Sequence, residues 1–377
     1  MACAFGVVLA GGTNYNWTCL QRKELLALAK SLLTLPTAPY HEQRVRGFVI
    51  DYCRALGMRP ALDRVGNVVV RHRHRARQAP LVFVAHMDHP GFEALGGDRA
   101  EFLGGVPKES FAGSRVRFFG KDGLVRATVK RVDASRWPRR KLVTLQSDGS
   151  LHKGDVGMWD VPAFRLAGGK LHATGIDDVL GVAVVLATLA EVVRRKTRTH
   201  VWAIFTRAEE VGFPGAVAMA RSRTIPCEAA VISMEMSRER PWARIGGGPV
   251  VRIGDYRTTF DPVVTYFLQE TAGSIRRREA TFRAQRCLMD GGTCEATAFA
   301  AFGYRVGGLC LPLGNYHNIG PGGRIRAEYV SVGDLEQLLQ LTVAAAEQWK
   351  DVAAVRGRLR TRIGQILREA PRQLKER

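Results

Sequence analysis

The chain has 377 residues, enough for more than one domain and a sizeable buried core. Its 46% hydrophobic and 24% charged residues exclude wholesale disorder, and no apolar run reaches the roughly 18 residues of a membrane-spanning helix. A net charge of +21 is concentrated in blocks at Arg71 to Arg75, Arg136 to Lys141, Arg194 to Lys196 and Arg276 to Arg278, and in the tail from Arg356 onward. Clustered cations attract phosphate, so a nucleic-acid partner is one reading. Against it, most blocks follow apolar segments, as strand and helix ends do, and only Trp137 is interleaved as a stacking ring. The sequence therefore favours a solvated basic surface and predicts neither a nucleic-acid nor a membrane partner. Seven cysteines, an odd number without zinc-knuckle or redox spacing, predict reduced thiols and a cytoplasmic setting.

In chain order, residues 1–21 read as an N-terminal extension. Ala2 to Ala10 is mildly apolar, but no Lys or Arg precedes it and Gly-Gly-Thr-Asn follows it, so a secretion signal is not expected. Helical spacing predicts helices over Arg22 to Leu33 and over Tyr40 to Leu56, separated by a Pro-containing break. Arg64 to Val70 reads as a turn feeding a strand, and Leu81 to Ala85 as a strand buried on both faces. From Phe102 to Leu166, short β-like runs alternate with Gly and Asp turns, which predicts a small inserted β domain over 102–166. Beyond it the chain alternates helices at Val179 to Val193, Gly215 to Ser222, Pro262 to Thr271 and Val332 to Trp349 with strands at Val201 to Phe205, Ala229 to Met234 and Tyr304 to Leu311. That alternation predicts an α/β domain, discontinuous over 22–101 and 167–350, with a mixed, mostly parallel sheet flanked by helices. Residues 351–377 form a basic tail.

Five clusters sit in turns or at the ends of strand-like segments, where an open α/β sheet binds ligands: His86-Met87-Asp88, Asp177-Asp178, Glu209-Glu210, Glu235 and His317. Each has a bland alternative. His86-x-Asp88 can be a surface turn, the Asp pair can serve a helix dipole, and the others can be solvated strand-end or loop residues. Two adjacent glutamates repel unless a cation lies between them, and Glu235, flanked by Met234 and Met236, is costly if unpaired. Together the clusters hold the nitrogen and oxygen donors, without thiolate, that a pair of divalent metals requires.

The motifs Ala85-His86-Met87-Asp88-His89-Pro90-Gly91-Phe92, Gly175-Ile176-Asp177-Asp178, Glu209-Glu210-Val211-Gly212-Phe213-Pro214-Gly215-Ala216 and Tyr316-His317 resemble those of co-catalytic zinc aminopeptidases, most specifically the glutamyl and tetrahedral (deblocking) aminopeptidases. Asp63 to Asn67, Gly291-Gly292-Thr293 and Glu328 to Ser331 fall in the same order, so the resemblance covers roughly Arg22 to Lys350. It implies a zinc-exopeptidase-like fold in which Asp177 bridges two divalent metal ions. His86 and Glu235 would complete one, and Glu210 and His317 the other. Glu209 would be the general base and Asp88 would orient His86. Zinc is the implied metal, with cobalt or manganese sharing its donors. Peptides shortened from the N-terminus are the implied substrates, and a homo-oligomer using the β domain the implied assembly. Glu235 stands where the family usually has Asp, His89 and Val179 replace an acidic residue and an Arg, and Cys294-Glu295 stand where Asp is preferred. These departures keep the donor set but bear on substrate preference, so an amide deacylase or carboxypeptidase of the same clan stays open. The basic balance suggests acidic peptides.

Overall fold

Uninterrupted runs of β-branched and aliphatic residues, flanked by turns, build the centre of the molecule. In the computed structural model, which describes residues 19–133, 135 and 140–369, these runs form an eight-stranded sheet. Residues 1–18 of the expected extension, Trp137 with its neighbours 136–139, and the end of the basic tail from 370 lie outside the described residues.

Helices α1 (Cys19–Leu33) and α2 (Gln43–Ala55) lead into β1 (Ala61–Leu62), β2 (Val68–His74) and β3 (Leu81–His86). The chain then leaves the sheet for six strands: β4 (Gly91–Gly96), β5 (Arg99–Leu103), β6 (Arg115–Gly120), β7 (Gly123–Val132), β8 (Lys141–Ser147) and β9 (Val156–Trp159). They close into a barrel in the order β4-β5-β8-β7-β6-β9. The barrel is filled by aromatic rings. Phe92 meets Trp159 at 4.8 Å and Phe102 at 4.9 Å between centroids, and Phe111 and Phe118 pack around them. The barrel begins at Gly91, earlier than the change of texture at 102. Phe92 and Ala94, then Ala100 and Phe102, alternate inward around the Gly96-Gly97-Asp98 turn. That hairpin is hard to see in sequence because it follows the His86 motif directly.

Strands β10 (Arg165–Ala167) and β11 (Lys170–Ala173) pair with β17 (Glu328–Ser331) in a small separate sheet, which delivers the chain to α3 (Ile176–Arg194). Almost every residue of α3 is buried, so it is the central helix of the domain. It packs on β3, and against α1 and α7 (Val332–Gln348). The chain continues through β12 (Thr199–Thr206), α4 (Pro214–Ser222), β13 (Ala230–Arg238), β14 (Val250–Arg252), α5 (Pro262–Arg278), β15 (Gln285–Cys287), α6 (Glu295–Ala301) and β16 (Arg305–Leu313). The main sheet runs β1-β2-β12-β3-β13-β16-β14-β15, and its middle strands β12, β3, β13 and β16 are parallel. Helices α4 and α6 cover the face opposite α3.

Local chemistry sets several ends. Asp261 caps α5 by accepting from Val263 N at 2.8 Å and Val264 N at 2.9 Å. Arg276, Arg277 and Arg278 suit its negative C-terminal end, which carries α5 past the expected Thr271. Part of the basic tail is itself helical, as α8 (Ala353–Glu369). No helix among the described residues is long and apolar enough to cross a membrane.

Phe92 touches four other barrel rings, so Phe92→Ala is expected to cost about 3–5 kcal/mol of stability, measured by guanidinium unfolding. A change below about 1 kcal/mol would mean that the barrel core is not organised around this ring.

Candidate metal centre

Strands β12 and β13 lie on opposite sides of β3, so the chain leaves this point in two directions and a crevice opens at the carboxyl ends of the strands. His86 ends β3 beside Thr206, which ends β12 and leads to Glu209 and Glu210. Glu235 lies in β13, and His317 follows β16. Asp177 and Asp178 form a non-helical bend at the head of α3, with a cis peptide between them. Left-handed backbone at Ala208, Phe213, Asn315, His317 and Asn318 turns the loops sharply around this crevice.

These residues converge. Donor atoms of His86, Asp177 and Glu235 lie within 4.8 Å of one another, and so do those of Asp177, Glu210 and His317. Asp177 belongs to both groups; a third set, His86, Glu209 and Glu210, meets the same distance. Asp177 Oδ1 is 3.8 Å from His86 Nε2 and its Oδ2 is 3.8 Å from His317 Nε2. Glu210 is 3.2 Å from His317 Nε2, and Glu209 is 3.9 Å from His86 Nε2. All sequence-derived donors therefore reach one cleft.

The residues fit a pair of cations. His317 Nδ1 donates to the Gly105 carbonyl at 2.7 Å, which aims Nε2 at Glu210 and Asp177. Glu210 Oε1 has no hydrogen-bond partner among the described residues, and its Oε2 faces that Nε2 at 3.2 Å. Burial alone would lower the His317 pKa, but the Glu210 and Asp177 carboxylates raise it to about 9. The attraction that holds this proton is the one a divalent cation would answer. Burial, with Glu210 and Glu235 adding repulsion, pushes the Asp177 carboxyl up to about 8.

His86 Nδ1 donates to the main-chain carbonyl of Asp88 at 3.1 Å, nearer than the Asp88 carboxylate at 3.5 Å. The two carboxylate oxygens instead accept from Glu209 N at 3.0 Å and Glu210 N at 3.1 Å. The expected orienting residue thus also holds the backbone of both glutamates.

Sequence reasoning gave no role to several other residues here. Glu328, fully buried, accepts from Ile176 N at 2.8 Å, Asp177 N at 3.1 Å and His317 N at 2.9 Å, which ties two donor-bearing segments together. His89 donates from Nδ1 to the Asp177 carbonyl at 2.6 Å, and its Nε2 faces Asn318 Oδ1 at 2.9 Å. Both Asp178 oxygens are buried without hydrogen-bond partners among the described residues, and a Cβ on Gly181 would lie 2.1 Å from one of them, so glycine leaves room for that carboxylate. Burial pushes the fully buried Glu295 up to about 8. Arg252, only 3% exposed and with its Nε unpartnered, lines the cleft with Arg238 and Arg240. A Glu in a strand or an Arg in a basic chain has no local signal of burial. Only the Glu328 to Ser331 motif could have drawn attention to the first.

A sequence profile of the M42 glutamyl aminopeptidases matches residues 148–341. A protein of Acetivibrio thermocellus, named as a candidate aminopeptidase, is 24% identical over 345 residues, covering 86% of this chain and 99% of that protein. An aminopeptidase from the archaeon Desulfurococcus kamchatkensis shares the fold with a TM-score of 0.72 at 23% identity, over 87% of this chain and 95% of its own. The TET1 peptidase of Pyrococcus horikoshii, which can assemble into a tetrahedron or a large octahedral shell, has a TM-score of 0.68 at 18% identity, over 85% of this chain and 99% of its own.

Glu328→Gln would leave three N–H groups facing one acceptor oxygen. It is expected to lower stability by about 1–3 kcal/mol in denaturant unfolding. An unchanged midpoint would show that these groups find other acceptors.

Proposed function

The chain belongs to the M42 glutamyl aminopeptidase family, and from that premise we propose a dinuclear metal-dependent aminopeptidase that prefers peptides with an acidic N-terminal residue. The observation that carries this reading is the pair of donor groups sharing Asp177 in a cleft lined by three arginines. Two divalent ions, held by His86, Asp177 and Glu235 and by Asp177, Glu210 and His317, would polarise the scissile carbonyl and make a water acidic enough to attack. Zinc suits these donors, as do cobalt and manganese.

Glu209 is not in either group that shares Asp177, although it also lies within donor distance of His86 and Glu210; as the general base its carboxylate would take the proton of the attacking water and return it to the leaving amine. Burial, with Glu235 and Glu210 nearby, pushes its carboxyl well above the ordinary value. Asp88, gripping Glu209 N and Glu210 N, keeps the base and its neighbouring donor in fixed relation. The Asp88 carbonyl holds His86 with Nε2 facing the cleft.

Arg252, Arg238 and Arg240 support the substrate preference. Arg252, nearly buried and with its Nε free of a hydrogen-bond partner among the described residues, already faces Glu235 and Asp255, and a substrate carboxylate would add to that pairing where an apolar side chain would not. The assembly of the Pyrococcus relative into closed shells supports a homo-oligomer. Five unpaired cysteines among the described residues support a reducing, cytoplasmic setting.

Purified protein is expected to carry about two metal ions per chain, and chelation should abolish release of N-terminal residues until metal is restored. Glu209→Gln should lower kcat by about 10²- to 10⁴-fold while metal content is retained. Loss of metal instead would make Glu209 a ligand. Arg252→Met should cut the ratio of kcat/KM for glutamyl over leucyl amides by about 10- to 100-fold. Release from the carboxyl end would reassign the arginines to a terminal carboxylate and the chain to carboxypeptidase chemistry.

A further inference from the structure

The C-terminal helix α8 lies outside the matched family region and takes no part in the cleft. Its base is anchored: Val355 is fully buried in the domain core, and Arg362 reaches Glu270 of α5 at 3.5 Å. Four residues on from Val355 the same face emerges into the open. Leu359, Ile363 and Ile366 are 40%, 59% and 64% exposed. At 3.6 residues per turn these three lie within about 60° of one another and form one stripe. Arg358 borders it on one side and Arg360 on the other, both exposed, and Arg362, on the Arg358 side, is the residue paired with Glu270. From Arg356 to the end, the sequence has eight Lys or Arg against two Glu.

We propose that α8 is an interfacial helix that lies on an anionic lipid surface, its apolar stripe among the acyl chains and its arginines on the headgroup phosphates. The charge pattern selects this occupant. Arginines along both borders would repel the same helix of a second copy, because like charges would face each other across the seam. A nucleic-acid backbone would satisfy the arginines but leaves no use for three branched apolar side chains between them. An anionic bilayer answers both features, since such helices bind through buried apolar area together with attraction to acidic headgroups. The helix lies on the membrane and does not span it, which revises the expectation of no membrane partner drawn from the absence of a spanning run. The rest of the chain would thereby be held at a membrane surface by one arm.

The test is co-sedimentation of the full chain with vesicles of phosphatidylglycerol and phosphatidylcholine, compared with pure phosphatidylcholine. Binding is expected only to the anionic vesicles and should weaken in high salt. The double variants Ile363→Asp/Ile366→Asp and Arg358→Gln/Arg360→Gln should each lower the partition coefficient by about tenfold or more. Three results would overturn the proposal. Equal vesicle binding by the Asp variant would assign it to overall charge. A smaller assembly of that variant in gel filtration would make the stripe an interface between copies. Retention of parent and Asp variant alike on duplex DNA, without vesicle binding, would make the arginines a phosphate-backbone site.

Discussion

Carboxylates crowded into a low-dielectric crevice repel one another, and the surroundings of the cleft are arranged to offset that repulsion. Asp88, Asp177, Asp178, Glu235, Glu295 and Glu328 are all buried around one point, with Glu209 and Glu210 beside them. The answers are of two kinds. Asp88 and Glu328 are satisfied by backbone N–H groups, two for the first and three for the second. Asp177 and Glu210 instead face histidine nitrogens whose other ring atoms are already committed to carbonyls. Asp177 also accepts from Met236 N at 3.3 Å, so it both holds a strand and faces the two imidazoles.

The scaffold makes this arrangement possible because parallel strands end together. Four neighbouring strands deliver their loops to one edge, and the reversal of direction about β3 keeps those loops from closing over each other. The loops are then forced into tight turns, with left-handed backbone at His317 and Asn318 themselves. Residues in that region are sparsely populated in ordinary chains and persist where the surroundings fix them. Here Glu328 holds His317 N and His89 bridges the Asp177 carbonyl to Asn318. His89 stands where the resembling family has an acidic residue. An imidazole at this point can donate to the Asp177 carbonyl, which a carboxylate cannot do.

Positive charge has different meanings in different places. Most of the excess lies on the surface, where screening makes individual cations weak. Arg252 is the opposite case, a cation within the cleft wall whose burial is offset by the Glu235 and Asp255 carboxylates. On α8 the arginines matter through their placement beside an apolar stripe. The net charge of +21 is the same quantity in each description and distinguishes none of them.

Much of this was legible in the residues because it is local. Apolar runs such as Leu81 to Ala85, helical periodicity such as that of Val332 to Trp349, and their alternation give the α/β class and a mostly parallel sheet, and they put His86, Glu209, Glu210, Glu235 and His317 at or near strand ends. The identity and order of the donors are likewise written in the chain. What tertiary structure alone decided is which distant groups meet. Asp88 reaches Glu209 across 121 residues and Glu328 reaches Ile176 across 152. The barrel starts at Gly91 because Phe92 and Phe102 share a ring cluster with Trp159. Asp177 is shared between two donor groups, and Arg252 is enclosed, only once the strands are in register. Periodicity records which face of an element is apolar, whereas burial of a charged side chain and the pairing of its atoms depend on how elements from opposite ends of the chain pack, and no short stretch of sequence carries that information.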